Sequence, residues 1–161
     1  MGEQRAELPY MPGYDEMIEA SGGKTLPWSW AVAQIEASRN LWLTTVRPDG
    51  RPHMMPVWGL WREGAFQFST GAQSRKAKNF RQNPNVAVAT ESGAEAVVIE
   101  GAVSVMPERS HAGFIAAYKD KYDWQMTESM APFYVVTPRV AFGIREFGDK
   151  ETGGVTRWTF E

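Results

Sequence analysis

The chain of 161 residues is 43% hydrophobic and 22% charged, the size and balance of about one globular domain, which excludes a disordered or collagen-like polypeptide. With no cysteine and two histidines, it cannot form disulfides, thiolate metal sites, cysteine nucleophiles or iron–sulfur clusters, and it has too few ligands for a histidine-rich metal centre. The net charge of −2 conceals an asymmetry: the window 47–81 holds seven Lys/Arg against two acids, +5, and leaves −7 elsewhere, so charge points to a local anion site or a basic solvated face rather than a nucleic-acid surface.

Residues 1–26 read as a Pro/Gly-punctuated arm with one helical turn around residues 15–20, stopped by Gly22 and Gly23. The opening MGEQRAELPY has no apolar stretch of a secretory signal, and no run of about 18 apolar residues occurs, so a cytoplasmic protein without a membrane span is expected. Residues 27–161 then read as one domain. Trp28, Ala31, Val32 and Ile35 recur at helical spacing behind Pro27, which predicts a helix over 27–39.

From Leu41 the period changes. Residues 41–47 and 51–61 are extended runs joined by the turn Pro48-Asp49-Gly50, and Arg62-Glu63-Gly64 leads into a third strand over 65–70. Ser74 caps a helix over 74–82 that stops at Asn83-Pro84-Asn85. Strands over 86–91 and 96–106, a helix over 108–122, and strands over 133–137, 139–147 and 155–160 complete the chain. About six hairpin-connected strands with short inserted helices predict a mainly β barrel or sandwich and exclude a doubly wound parallel sheet.

Enzyme signatures are sparse. Gly22-Gly23-Lys24-Thr25 looks like the end of a phosphate loop, but Ile18 stands where the first Gly is required. There is no G-x-G-x-x-G, G-x-S-x-G or H-E-x-x-H, and His53 and His111 read as structural or surface residues. The informative block is 69–80. A strand ends in Ser69 and Thr70, Gly71 turns, and Ser74 opens a helix whose first turn carries Arg75 and Lys76, with Asn79 one turn along. Free N–H groups, a hydroxyl and two cations suit a phosphate or carboxylate; the other reading is a capped basic surface helix.

Taken together, residues 41–45, Pro48-Asp49-Gly50-Arg51-Pro52-His53, Pro56-Val57-Trp58, the 74–80 block and Asn83-Pro84-Asn85-Val86 resemble the split β-barrel flavin and deazaflavin oxidoreductases, the superfamily that includes pyridoxamine-phosphate oxidase. The resemblance runs from Trp28 to Trp158. It implies a six-stranded antiparallel split barrel of the FMN-binding type, and a homodimer with two cofactor sites at its interface. In that family the cofactor phosphate meets the basic helix, here Ser74, Arg75 and Lys76 with Asn79 nearby. The ring lies against positions matching Met55, Pro56, Val57, Trp58, Ser69 and Thr70, and the partner subunit contributes positions matching Arg157 and Trp158.

The chain departs from pyridoxamine-phosphate oxidase in lacking its arginine-rich C-terminal segment, and ends in Thr-Arg-Trp-Thr-Phe-Glu. It resembles more the branch that uses the deazaflavin coenzyme F420, whose phosphate and polyglutamate tail suit the +5 window; FMN is the alternative. The implied activity is hydride transfer with a small conjugated acceptor, with the cofactor carrying the chemistry and no catalytic side chain or metal required. A flavin- or haem-sequestering protein without turnover is the rival from another class. The tryptophans are core or interface residues by default. Alternation sets Trp58 opposite Trp61 and makes it the candidate to stack on a planar ring, and Trp124 the candidate to line an acceptor pocket.

Overall fold

The structure, a computed structural model, describes residues 4–161, the side chains of 147–149 excepted. Among the described residues nine strands form one antiparallel sheet: β1 (Gln4–Glu7), β2 (Leu41–Val46), β3 (Pro52–Val57), β4 (Gly59–Arg62), β5 (Ala65–Ser69), β6 (Asn85–Thr90), β7 (Glu95–Val105), β8 (Phe133–Asp149) and β9 (Gly153–Phe160). Four α-helices are inserted: α1 (Asp15–Ala20), α2 (Trp28–Ala37), α3 (Arg75–Gln82) and α4 (His111–Tyr122). The mainly β split barrel with short helices is as expected. Among the described residues no helix is long and apolar enough to cross a membrane.

The sheet runs β1-β9-β8-β7-β6-β2-β3, with β4 and β5 attached through β8. The barrel splits on β8. Its first residues pair with β5 (Phe133↔Ser69 to Val136↔Phe66), and its later residues pair with β9 from Val140↔Thr159 onward. Where the predicted strands 133–137 and 139–147 leave a gap, the structure runs straight through. Pro138, which lacks an N–H, sits at a bulge where the pairing with β7 steps from Glu100↔Val140 to Gly101↔Pro138 and leaves Arg139 as the extra residue.

The predicted single run 51–61 is instead two strands, broken at Trp58. Gly59 lies so close to Phe66 that a Cβ there would meet its ring at 2.2 Å, and β4 leaves β2 to pair with β5. The Tyr122 hydroxyl at the end of α4 replaces the lost ladder, accepting from Gly59 N and donating to Gly59 O, each at 2.9 Å. Alternation therefore does not carry from Trp58 to Trp61. The predicted arm is also not free-standing, since β1 extends the sheet along β9 from Gln4↔Phe160 to Glu7↔Arg157. Against the eight extended runs read from the sequence, β1 joins the sheet from the arm, the run 51–61 divides into β3 and β4, and the runs 133–137 and 139–147 merge into β8, which makes nine strands among the described residues.

Two apolar clusters hold these elements. The barrel interior is filled by Leu41, Leu43, Phe66, Phe68, Val88, Ile99 and Val136, with Ala31 and Ile35 of α2 covering one end. Phe114, Tyr118 and Tyr122 of α4 pack on Leu60, Met106 and Phe133 in the second. Along β2, β5, β6 and β7 the barrel residues sit at every second position, which is the period-2 alternation read from the sequence.

Candidate functional site

The site begins where β5 ends. The Ser74 amide donates to Gly71 O at 2.9 Å, closing the turn that reverses the chain into α3. Ser74 is then the N-cap, with an extended backbone (φ −62, ψ 157) and a side chain that accepts from Ala77 N at 3.2 Å. The amides of Arg75 and Lys76, next in line, have no partner among the described residues. The Ser74 hydroxyl also lies 3.2 Å from that of Thr70. One hydroxyl hydrogen serves the contact between them, so a second O–H is left to donate outward.

Around this turn the cations are unopposed. α3 contains Arg75, Lys76, Lys78 and Arg81 and no acid. Arg81 is tied to backbone, with Nε on Ala77 O and Nη2 on Ala72 O; Arg75, Lys76 and Lys78 form no ion pair among the described residues. A helix start is already electropositive, so each cation there is opposed by about 0.3–1 kcal/mol. Arg75 and Lys78, and Lys78 and Arg81, are like-charged neighbours at i,i+3, which costs a few tenths more per pair. Arg75, Lys78, Asn79, Arg81, Gln82 and Pro48 line a shallow groove of about 290 Å³. An arrangement that costs stability in this way is one an anion would relieve.

Asn79 is placed differently from its predicted role. It is fully buried, and its Nδ2 donates to Thr45 Oγ1 of β2 at 2.9 Å. Thr45, also fully buried, donates in turn to His53 O of β3 at 3.2 Å. Through Nδ2, Asn79 locks α3 onto the β2–β3 hairpin, while its Oδ1 has no partner among the described residues and the residue lies at the floor of the basic groove. The hairpin turn is closed by Gly50 N on Arg47 O at 2.9 Å, with Gly50 at φ +83, where a residue with a side chain would be strained. In that turn the Arg51 side chain and amide hydrogen-bond the Asp49 carboxylate and hold it below its ordinary value.

β3 is an edge strand, paired only with β2 among the described residues, and its two prolines are where an edge tolerates them. Met55 and Pro56 are exposed and Val57 is buried, so the ring positions expected there are an accessible backbone edge with one side chain turned inward. Ser69 and Thr70 are half-buried beside the α3 turn.

Trp58 is already engaged. Its ring stacks on Tyr122 with centroids 4.6 Å apart and 1° between planes, Arg39 lies over it at 5.0 Å, and its Nε1 donates to Asn40 Oδ1 at 3.1 Å. The ring predicted to stack on a cofactor is thus stacked on Tyr122 within the protomer and remains partly exposed. Trp158 is 1% exposed inside the barrel, edge-on to Trp28 at 5.1 Å, so its ring is unavailable to a partner subunit. Arg157 is half-buried and paired with Glu7 of the arm. Trp124, the predicted acceptor-pocket residue, is exposed beyond α4. His111 is buried between Glu128 Oε2 at 2.7 Å and Met106 O at 3.3 Å, a structural tie. Among the described residues no three His, Asp or Glu side chains gather as a metal site.

In the sequence Arg47 counts only as one cation of the basic window, Thr45 only as part of the family resemblance, and His53 reads as a structural or surface residue. What brings them to the site is the strand register, which sets His53 opposite Thr45 and emerges only once β2 and β3 are paired.

Residues 31–142 match the sequence pattern of the pyridoxamine 5'-phosphate oxidase family, and the chain belongs to that family. Among solved structures it is similar to an F420 reductase at 26% identity and TM-score 0.55, over 68% of this chain and 93% of that one. It is similar in fold to General Stress Protein 26 from Bacillus anthracis, at 21% identity and TM-score 0.59 over 72% and 92% of the two chains. A haem-binding protein from Mycobacterium smegmatis shares the fold at 19% identity and TM-score 0.65, over 83% of this chain and 58% of that one. No curated protein matches it in sequence.

Proposed function

We propose that this member of the pyridoxamine 5'-phosphate oxidase family is an F420-dependent oxidoreductase that acts as a homodimer and transfers hydride between the deazaflavin and a small conjugated organic acceptor. The observation that carries the reading is the unopposed cation cluster at the capped start of α3. The residues there fit a phosphate ester: two unpartnered amides, one outward hydroxyl and the Arg75 and Lys76 side chains, all donors and no acceptor carboxylate. The groove along Arg75, Lys78 and Arg81 continues the positive surface and suits a carboxylate-bearing tail. The similarity to an F420 reductase supports the same choice.

When bound, the reduced deazaflavin supplies the hydride. The protein's part is to hold the phosphate at Ser74, Arg75 and Lys76, to seat the ring along the open β3 edge at Met55, Pro56 and Val57 beside Ser69 and Thr70, and to exclude water. Asn79 keeps α3 and β3 in fixed relation, so the phosphate and ring positions cannot drift apart.

The dimer has a surface to form on. Pro56, Trp42, Ala89, Val98 and Phe142 stand in one row across β3, β2, β6, β7 and β8, on the face turned away from the barrel, and none is buried in the protomer. Trp42 and the adjacent Met54 are 39% and 56% exposed. A row of apolar side chains left uncovered on a sheet face supports placing the dimer interface there. Trp42→Asp would place a carboxylate at its centre and weaken the dimer by about 100-fold or more. Light scattering should then find the mass of one 18.1 kDa chain in place of two; a variant that stays dimeric moves the interface elsewhere.

The reading is tested by titrating the cofactor-free protein with F420 and with FMN while following its seven tryptophans. Saturation by F420 at micromolar concentration with little response to FMN is expected. Tight binding of FMN alone would reassign the protein to the flavin branch, with oxygen consumption as the next assay. Tight binding without acceptor-dependent oxidation would make it a carrier, and no response to either would remove the oxidoreductase reading.

A further inference from the structure

We infer that His53 is a further member of the anion site and takes up a proton from solvent as a phosphate or sulfate group docks against Arg75 and Lys76. This rests on the phosphate reading of the α3 turn.

The placement comes first. His53 sits on β3 opposite Thr45, and its Nδ1 lies 3.5 Å from Thr45 Oγ1. Thr45 is the residue to which Asn79 anchors α3, so the imidazole is held over the junction between the hairpin and the helix that carries the cations. The ring is partly exposed, and its Nε2 has no partner among the described residues.

The charged groups around it are of one sign. From the hairpin turn comes Arg47, and from α3 come Arg75 and Lys76. β2 presents Thr45, and β3 itself carries no other titratable residue. Asp49, in the same turn as Arg47, is bound to Arg51 at 2.7 Å. Partial burial, and then the three cations, hold the imidazole below its ordinary value. In the free protein it is therefore neutral near pH 7. A doubly charged anion among the same cations offsets most of their charge and offers Nε2 an acceptor, and both effects favour the imidazolium. Protonated, Nδ1 donates to Thr45 Oγ1 while the Thr45 hydroxyl keeps its bond to His53 O, and Nε2 is left to donate to the anion.

The pH dependence has a definite sign. The complex holds one more proton than the free protein, so anion affinity rises as pH falls. A phosphate ester's own second ionisation, near pH 6, acts in the opposite direction, so the probe is sulfate, whose charge is constant over this range. At constant ionic strength, sulfate should bind about fivefold more tightly near pH 5.5 than near pH 7.5, corresponding to a rise of about one unit in the His53 titration midpoint. The midpoint is read from the imidazole proton resonances; with only two histidines, His53→Asn identifies the signal. His111 should not move. In His53→Asn and His53→Gln, whose folding is checked by circular dichroism, the pH dependence should flatten to within about twofold.

If sulfate perturbs the Arg75 and Lys76 amides while the His53 midpoint stays put, the inference fails and the cofactor site stands. An equal midpoint shift in Lys76→Ala would reduce the effect to general salt screening and overturn the inference as well. If neither sulfate nor FMN perturbs the α3 turn, the site reading itself falls.

Discussion

An Arg75→Ala/Lys76→Ala double variant is expected to bind a phosphorylated cofactor about 30- to 1,000-fold more weakly than the parent, a loss of about 2–4 kcal/mol from two charge-assisted contacts. The free protein should lose no stability. Neither side chain is ion-paired among the described residues, both stand at the electropositive end of α3, and Ser74 still caps Ala77 N, so the melting temperature should stay level or rise slightly. A surface whose cations served only solubility would show the same stability and an unchanged affinity. Isothermal titration beside thermal unfolding separates the two. The parent's affinity should also fall as salt rises, and the variant's salt dependence should be shallower. Unchanged affinity in the double variant would place the cofactor phosphate away from α3.

Gly101→Ala is expected to cost about 3 kcal/mol of stability, roughly 10 °C in melting temperature for a chain of this size. Gly101 lies at the bulge where β8 passes from β5 to β9. A Cβ there would stand 2.2 Å from Thr137 O and 2.9 Å from Val136 Cγ1. The first neighbour is backbone held in the β7–β8 ladder, so relief requires moving a strand that serves both halves of the barrel. Gly93→Ala is the matched control. It lies in a loop with nothing within 4 Å of the added carbon, and should be neutral. Circular dichroism melts of the two variants decide it: equal melting temperatures would mean that the bulge opens freely and that the split point is not held by close packing.

Much of the candidate site is legible in the sequence because it is local. Ser74, Arg75 and Lys76 are consecutive, and a capped helix start with cations in its first turn is a matter of a few neighbouring residues. The turn at Pro48-Asp49-Gly50 is equally local. Asn79 shows where such reading stops. From spacing alone it shares a face with Arg75, one turn away, and looks like another ligand group; its partner, Thr45, is 34 residues distant and meets it only when α3 packs on β2. The partners of Trp58 are hidden from the sequence for the same reason. Its ring meets Tyr122, on an element far along the chain, so one stacking partner comes from within the protomer. Trp158 is polar-edged and near the end of the chain, yet it lies in the barrel core with its Nε1 unpartnered among the described residues.

The alternation, the turn chemistry, the basic helix and, through the family pattern, the split barrel are thus written in the order of residues alone. Each depends on residues within a turn or a strand of one another, where propensity and period act directly. Other features exist only once the chain has packed: the place where the barrel splits, the break that Gly59 makes in an apparently continuous strand, the conversion of the N-terminal arm into an edge strand, and the position of His53 among Arg47, Arg75 and Lys76. Those outcomes are set by strand register and by contacts between residues tens of positions apart, and one residue of slip in the β2–β3 pairing would have turned His53 to the opposite face.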